Sequence, residues 1–177
     1  MNNNTTIFFP DISGFTEFVT ETEIEHGRHI IAALLEEIIK SNYLKFVVSE
    51  IEGDAILFYK GDSKPALNEL LSLSLEVYKK FHDLLKILDD STHCSCGACS
   101  TIHRLKLKFI IHFGEVRTIK IHNFEKLYGL DVIIAHRLLK NDIDYKEYIL
   151  ITQANEQIKE ELKPVAGLNG PFNYSQV

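Results

Sequence analysis

The stretch IFFPDISGFT, residues Ile7 to Thr16, reads as an apolar strand that reaches Asp11, with the small residues Ser13 and Gly14 close behind it. A second stretch, SEIEGDAILFY from Ser49 to Tyr59, places Asp54 in a tight turn between two apolar segments. Two carboxylates held on adjacent strands can bind a divalent metal ion, and the small residues after Asp11 leave room for phosphate groups. The pair Asp11 and Asp54 therefore predicts metal-assisted nucleotide chemistry.

The remaining periodicity predicts an α+β domain. Apolar residues at helical spacing predict helices over Thr20 or Thr22 to Ser41, Pro65 to about Leu88, Leu130 to Lys140 and Ala154 to Leu162. Runs rich in β-branched and aromatic residues predict strands over Leu44 to Ile51, Ala55 to Tyr59, Leu105 to Phe113, Val116 to Ile121 and Tyr148 to Thr152. Gly114-Glu115 is expected to turn a hairpin. The order resembles a ferredoxin-like βαββαβ core with an extra hairpin and helices, with the helices on one sheet face.

Length and composition indicate one globular domain over residues 1–177, with a Cys-rich insertion at about 89–104. No apolar run is long enough to cross a bilayer, and the polar start lacks the pattern of a signal peptide, so we expect no membrane partner and a cytoplasmic location. A formal net charge of -6 argues against a nucleic-acid partner. The alternating Arg104, Lys106 and Lys108 are expected to form the solvated face of a strand.

The insertion carries Cys94, Cys96 and Cys99, an odd cysteine count that does not fit a disulfide framework. Together with a nearby histidine such as His103, these thiols offer the ligands of a tetrahedral structural Zn²⁺ site. Reduced free thiols and redox sensing are the alternatives. The other histidines singled out, His112 on an apolar strand and His136 on a helix, are expected to be buried and bonded to backbone, with metal ligation as the less common alternative.

Four motifs in order resemble the catalytic domain of class III nucleotidyl cyclases, the adenylate and guanylate cyclase family, over roughly Ile7 to Leu162. They are FPDISGFT at 9–16, IEGDA at 51–55, IIHFGEV at 110–116 and YG at 128–129 continuing to AHRL at 135–138. The segments PDISGFT, EIEGDA, CxCGAC and HRLLKN also resemble a divergent bacterial branch of cyclase-like proteins. The resemblance implies the nucleotide cyclase fold and the conversion of a nucleoside triphosphate to a 3′,5′-cyclic nucleotide and pyrophosphate.

The resemblance also implies roles for single residues. Asp11, Asp54 and the Ile12 carbonyl would hold two Mg²⁺ or Mn²⁺ ions. Backbone amides would contact phosphate at Ser13, Gly14, Phe15 and Thr16. Arg137 would stabilise charge on the transferring phosphorus. Family sites form across a head-to-tail homodimer, so Arg137 would serve the metal ions of the partner subunit.

Base recognition is the role that the resemblance implies for Glu50 and Lys126. Adenylate cyclases carry lysine at the first position and aspartate at the second, so the charges are exchanged in this chain. A carboxylate accepts from guanine N1–H and its amine while an ammonium donates to O6, an arrangement that favours guanine. The alternative is that Glu50 and Lys126 pair with each other.

Two departures from the family pattern bear on activity. Ile133 replaces the asparagine that family enzymes place four residues before the arginine, and isoleucine cannot hydrogen-bond a ribose. No lysine lies within Val165 to Gly170, where a phosphate-binding lysine is expected. The alternative function is therefore a catalytically degenerate homologue that acts as a nucleotide-binding or regulatory dimer module.

Overall fold

The fold is described by a computed structural model over residues 4–61, 64–91, 101–153, 162–164 and 173–176. Its strands are β1 (Asn4–Ser13), β2 (Val47–Glu52), β3 (Ala55–Lys60), β4 (Lys106–Glu115), β5 (Arg117–Ile121), β6 (Phe124–Tyr128), β7 (Tyr148–Gln153), β8 (Leu162–Pro164) and β9 (Asn173–Gln176). Its helices are α1 (Phe15–Glu21), α2 (Ile24–Lys40), α3 (Leu67–Ser91) and α4 (Leu130–Leu138), with a 3₁₀ turn at Ile102–Arg104. Among the helices of these ranges, none combines the length and the apolar character that crossing a membrane requires.

One mixed sheet organises the domain in the order β2-β3-β1-β4-β7-β9-β8. β1 lies between two antiparallel neighbours, β3 and β4, while β7 runs parallel to β4. The first four strands of this order are those of a ferredoxin-like βαββαβ core. The predicted α+β class and core are therefore confirmed.

Alternation along β1 divides the apolar core between the two faces of the sheet. Phe8 and Ile12 pack with the buried residues of α2 and α3 on one face. Ile7 and Phe9 pack on the other face with Val132 of α4 and with residues of β6. The prediction that all helices share one face is wrong for α4. β1 is apolar on both sides, so both sheet faces must be buried by packing against other elements.

The predicted hairpin between β4 and β5 is also wrong. β4 pairs with β1 along one edge and with β7 along the other, so neither edge is open to β5. β5 instead pairs with β6, and the turn between them contains His122 at a positive φ of 55°. The two strands form a separate antiparallel ribbon that lies over the α4 face of the sheet.

The helix predicted from Thr20 or Thr22 to Ser41 corresponds to α2, and the short helix α1 before it was not predicted. α1 begins one residue after Ser13-Gly14, and Thr22 adopts an extended backbone that separates it from α2. Neither threonine caps a helix, because Thr20 bonds back to the Thr16 carbonyl at 2.7 Å and Thr22 ends α1. α3 starts after Pro65, where the Glu69 carboxylate accepts from the Ala66 amide at 2.8 Å. Of the helix expected over 154–162, residues 154–161 lie outside the described residues, and Leu162 begins β8.

Glu147 ties α3 to the sheet. Its carboxylate contacts His82 Nε2 at 2.7 Å and accepts from the Tyr78 hydroxyl at 3.2 Å and from the Leu107 amide at 3.4 Å. Burial alone would raise the pKa of Glu147, but the His82 hydrogen bond and charge, with smaller help from Lys106 and the Leu107 amide, lower it. The negative side chain is therefore stabilised by the folded state.

We expect Glu147→Gln to lower the free energy of unfolding by about 2 kcal/mol near neutral pH, because hydrogen bonds to a charged acceptor are lost. A depressed folded pKa contributes stability above the unfolded value and loses it as pH falls through the folded value. The difference between the two proteins should therefore shrink on acidification in urea titrations. Glu36→Gln, which removes only an exposed pair with Lys40, is the control and should change little. A difference that is independent of pH would contradict this account.

Candidate active site

Asp11 and Asp54 meet where β1 runs alongside the turn of the β2–β3 hairpin. Asp11 is paired in register with Ala55, and the Ile12 amide donates to the Asp54 carbonyl at 3.0 Å. Burial, and then the negative charge of Asp11, raise the pKa of Asp54 to about 6 against the lowering effects of its own backbone hydrogen bond and of Lys108. The structure thus brings the two predicted metal ligands within electrostatic reach of each other.

Lys108 is a member of this site that sequence reasoning missed. Its ammonium lies 2.9 Å from Asp11 Oδ2 and donates to the Leu139 carbonyl at 3.0 Å. Its side chain is 16% exposed, so the expectation of a solvated position is wrong. The cause is the β1–β4 register, which sets Lys108 opposite Asp11 on the face that α4 covers. No local signal in the sequence reveals that register.

The predicted phosphate-binding residues, Ser13 to Thr16, form the turn between β1 and α1. Gly14 has a φ of 87°, and a Cβ there would meet the Arg104 carbonyl oxygen at 3.1 Å, so the turn requires glycine. The Ser13 hydroxyl donates to the Lys146 carbonyl at 3.3 Å. Phe15 and Thr16 begin α1. Only Ile12, whose amide donates to the Asp54 carbonyl, separates this turn from Asp11.

A second group of polar side chains lies at the edge of α4. Glu50 Oε2 is 3.1 Å from the Lys126 ammonium, so the two predicted base-recognition residues pair with each other in this chain. His136 Nδ1 lies 3.3 Å from Glu52 Oε2, and its ring stands edge-on to Phe9 at 5.1 Å. His136 is therefore neither fully buried nor bonded to backbone, and its contacts were not predicted.

A cavity of about 440 Å³ opens beside this group. Glu50, Lys126 and His136 contribute its polar lining, and α4 and β6 supply most of the apolar lining. Ile133 lines it too and is 50% exposed. Arg137 lies four residues further along α4 with an exposed side chain that has no ion pair within the described part of the chain.

Buried hydrogen bonds hold α4 to the sheet. His112 contacts Asp131 Oδ1 through Nε2 at 3.0 Å and Thr152 Oγ1 through Nδ1 at 2.7 Å. The other Asp131 oxygen accepts from the Glu115 amide at 2.6 Å. In the tautomer with its proton on Nε2, His112 donates to Asp131 and accepts from the Thr152 hydroxyl. His112 is buried as expected, but its partners are side chains. This network sets the position of the helix that carries Ile133, His136 and Arg137.

Of the predicted zinc ligands, the described residues include His103 and none of the three cysteines. Cys94, Cys96 and Cys99 lie outside the described residues, as does the 165–170 stretch that lacks the family lysine. His103 is exposed in the 3₁₀ turn, and the nearby His82 contacts Glu147. A zinc site at the cysteines therefore stays a prediction.

Comparisons with known proteins give a family and an uncharacterized relative. Residues 31–148 match the family described as "Protein of unknown function (DUF2652)". The uncharacterized protein Rv2561/Rv2562 of Mycobacterium tuberculosis is 30% identical over 140 residues, and the match covers 74% of this chain but only 61% of that protein. The chain thus spans about three-fifths of the length of this relative.

Two solved structures share the architecture. The adenylyl cyclase CyaB from P. aeruginosa superposes with a TM-score of 0.62 at 22% identity, over 84% of this chain and 76% of that one. The guanylate cyclase domain of RhGC from Catenaria anguillulae, solved in complex with GTP, superposes with a TM-score of 0.55 at 17% identity, over 79% of this chain and 74% of that one. The chain therefore has the fold of adenylyl and guanylyl cyclase domains.

Proposed function

The chain belongs to the DUF2652 family, and we propose that it is a class III nucleotidyl cyclase-like protein that converts a nucleoside triphosphate to a 3′,5′-cyclic nucleotide and pyrophosphate. One observation carries the proposal. Asp11 and Asp54 converge beside a glycine turn on a cyclase fold, on the sheet face that also carries the α4 cavity. Fold likeness alone would not assign an activity.

The two carboxylates suit divalent ions. The raised pKa of Asp54 shows that burial and Asp11 disfavour its negative charge, and a dication would offset both effects. We propose that Asp11, Asp54 and the Ile12 carbonyl hold two Mg²⁺ or Mn²⁺ ions. When bound, such ions would lower the pKa of the ribose 3′-hydroxyl and neutralise the triphosphate. Lys108 already balances part of the charge on Asp11, so an entering ion shares that carboxylate with an ammonium.

The chain supplies the remaining contacts from two regions. The amides of Ser13 to Thr16 would donate to phosphate oxygens, and Gly14 lets the backbone approach them closely. Arg137 has no partner to release among the described residues, so its guanidinium is available to a phosphate held by the partner subunit of a homodimer. Glu50 and Lys126 line the cavity and would contact the base there. Their mutual ion pair would have to break for this contact to form.

A second candidate is a nucleotide-binding or regulatory dimer module without turnover, and two observations favour it. Ile133 presents an apolar side chain where a ribose contact is needed, and each lost donor removes about 3 kcal/mol of transition-state stabilisation. Glu50 and Lys126 are also occupied with each other at 3.1 Å. Such a module would keep the metal pair and the glycine turn.

The test incubates the protein with Mn²⁺ and each of ATP, GTP, CTP and UTP, and measures cyclic nucleotide and pyrophosphate. The proposal expects both products in equal amounts from at least one nucleotide. Product absent throughout, with a metal-dependent rise of Tm by a nucleotide, would establish the binding module. The absence of both effects would overturn both candidates.

Arg137→Ala separates chemistry from binding. We expect it to lower kcat by about 100-fold or more while the nucleotide-dependent rise of Tm persists, because a cation aimed at developing charge acts mainly in the transition state. Arg117→Ala, which removes an exposed arginine paired with Glu115, is the matched control and should leave kcat unchanged. An equal kcat for the Arg137 variant and the parent would remove this residue from the proposed chemistry.

A further inference from the structure

Glu50, Glu52 and His136 form a cluster that the proposed cyclase chemistry does not use as a unit. One ligand atom from each of the three lies within 4.8 Å of the other two. His136 Nδ1 is 3.3 Å from Glu52 Oε2, and His136 Nε2 is 4.0 Å from Glu50 Oε1. The two glutamates contact different ring nitrogens of His136, and an imidazole binds an ion through one nitrogen, so the 4.8 Å grouping of one atom from each residue is what defines the common site.

The local hydrogen bonding leaves this volume incomplete. Glu50 Oε1 is buried from solvent, and none of the described residues offers it a hydrogen bond. A carboxylate oxygen in that position loses its hydration without replacement, which is costly unless a cation compensates. Lys126 contacts the other oxygen of Glu50, and its side chain is 56% exposed, so it compensates only in part. The unpartnered oxygen is a second sign, besides the clustering, that a cation belongs here.

We propose that Glu50, Glu52 and His136 bind one divalent transition-metal ion, with Zn²⁺ as the best match. One imidazole nitrogen and two carboxylate oxygens form a ligand set that zinc accepts, whereas Mg²⁺ avoids imidazole. Three protein ligands leave at least one coordination position open, and the cavity that Glu50 and His136 line has room for a water molecule or an anionic ligand there. The site shares no residue with the Asp11 and Asp54 pair, and Glu50 is the one member to which the proposed cyclase chemistry also gives a role.

Binding at this site would also change the cavity. A dication on Glu50 competes with the Lys126 ammonium for the same carboxylate and would free that ammonium toward the cavity. The same ion would link β2, which carries both glutamates, to α4, which carries His136. Lys126→Ala is therefore expected to strengthen zinc binding several-fold, since it removes a competing positive charge.

The experiment titrates the full chain with Zn²⁺ against a chromogenic chelator. Every protein in the series carries Cys94→Ser, Cys96→Ser and Cys99→Ser, so that thiolates contribute no ligands. We expect one Zn²⁺ per chain in the parent, weakened at least about tenfold by Glu52→Gln and by His136→Ala. Glu36→Gln, which alters an exposed carboxylate paired with Lys40, is the matched control and should bind Zn²⁺ as the parent does, while Asp54→Asn reports any ion held at the aspartate pair.

Two outcomes among the variants would overturn the proposal, and so would one in the parent. One is Zn²⁺ binding by Glu52→Gln and His136→Ala with the affinity of the parent. The other is a loss in Asp54→Asn that Glu52→Gln does not show, which would place the ion at the aspartate pair. Glu52 has a side chain that is 43% exposed, so its substitution is expected to leave the fold intact, and circular dichroism verifies this for each variant. A parent chain that binds no Zn²⁺ would reduce the cluster to an ion pair between His136 and the two glutamates.

Discussion

The Asp54→Asn variant is expected to unfold at a higher temperature than the native chain in metal-free buffer above pH 6, and yet to lose its response to Mn²⁺. Burial and the charge of Asp11 raise the folded pKa of Asp54 to about 6, so the ionised form is disfavoured by folding. For an acid with a raised pKa the destabilisation is absent below the unfolded pKa and complete above the folded one. Asparagine removes the charge, and we expect a gain of about 1 kcal/mol, reduced from the full shift because Asp54 is half-exposed.

The same substitution is expected to weaken metal binding, although it stabilises the metal-free fold. A neutral amide replaces one of two carboxylate ligands, so we expect the Mn²⁺-dependent rise of Tm with nucleotide to disappear and turnover to fall by at least about 100-fold. The exposed Asp144→Asn variant is the control and should change neither property. Differential scanning fluorimetry at pH 7.5, with and without Mn²⁺ and nucleotide, measures both effects. A variant that keeps the Mn²⁺ response would remove Asp54 from the metal site.

Asp131→Ala is expected to destabilise the protein by about 3 to 5 kcal/mol, because it leaves buried groups without their acceptor. The Glu115 amide loses a bond of 2.6 Å, and His112 Nε2 loses one of 3.0 Å. Glu115 and His112 both belong to β4, so the substitution also frees the start of α4 from the sheet. We therefore expect catalysis or nucleotide binding to weaken in the surviving folded protein.

A double-mutant cycle tests whether the pair acts as a unit. His112→Ala, Asp131→Ala and the double variant are compared by urea unfolding, and the double variant should lose clearly less than the sum of the two single losses. The Ser74→Ala variant is a control for a buried hydroxyl bonded within its own helix, and we expect it to cost about 1 kcal/mol. Additive losses would show that His112 and Asp131 contribute independently.

The sequence predicted the parts of this fold that depend on local periodicity. The alternation of β1, the Gly53-Asp54 turn and the long amphipathic helices each follow from neighbours within a few residues. The β4–β5 hairpin failed because turn residues show that a chain bends but not which edge is free. Both edges of β4 are occupied by β1 and β7, which are remote in sequence.

The same distinction between local pattern and long-range pairing applies to the candidate site. Asp11, Asp54 and the glycine turn were predicted because each belongs to a contiguous motif, and the structure places them together. Lys108 was missed, because its relation to Asp11 arises only from strand register. The cluster of Glu52 and His136 was missed for a similar reason, since 84 positions separate residues 52 and 136 and nothing local marks them as neighbours.

The position of β1 between β3 and β4 has a consequence for motion. Its amides are protected by strands on both sides and should exchange with solvent only on global unfolding, whereas β2 is an edge strand within the described residues and can open locally. Asp11 belongs to the slowly exchanging strand, and Asp54 lies at the tip of the hairpin that includes the edge. A ligand that joins the two carboxylates would tether the most labile part of the sheet to its most persistent strand.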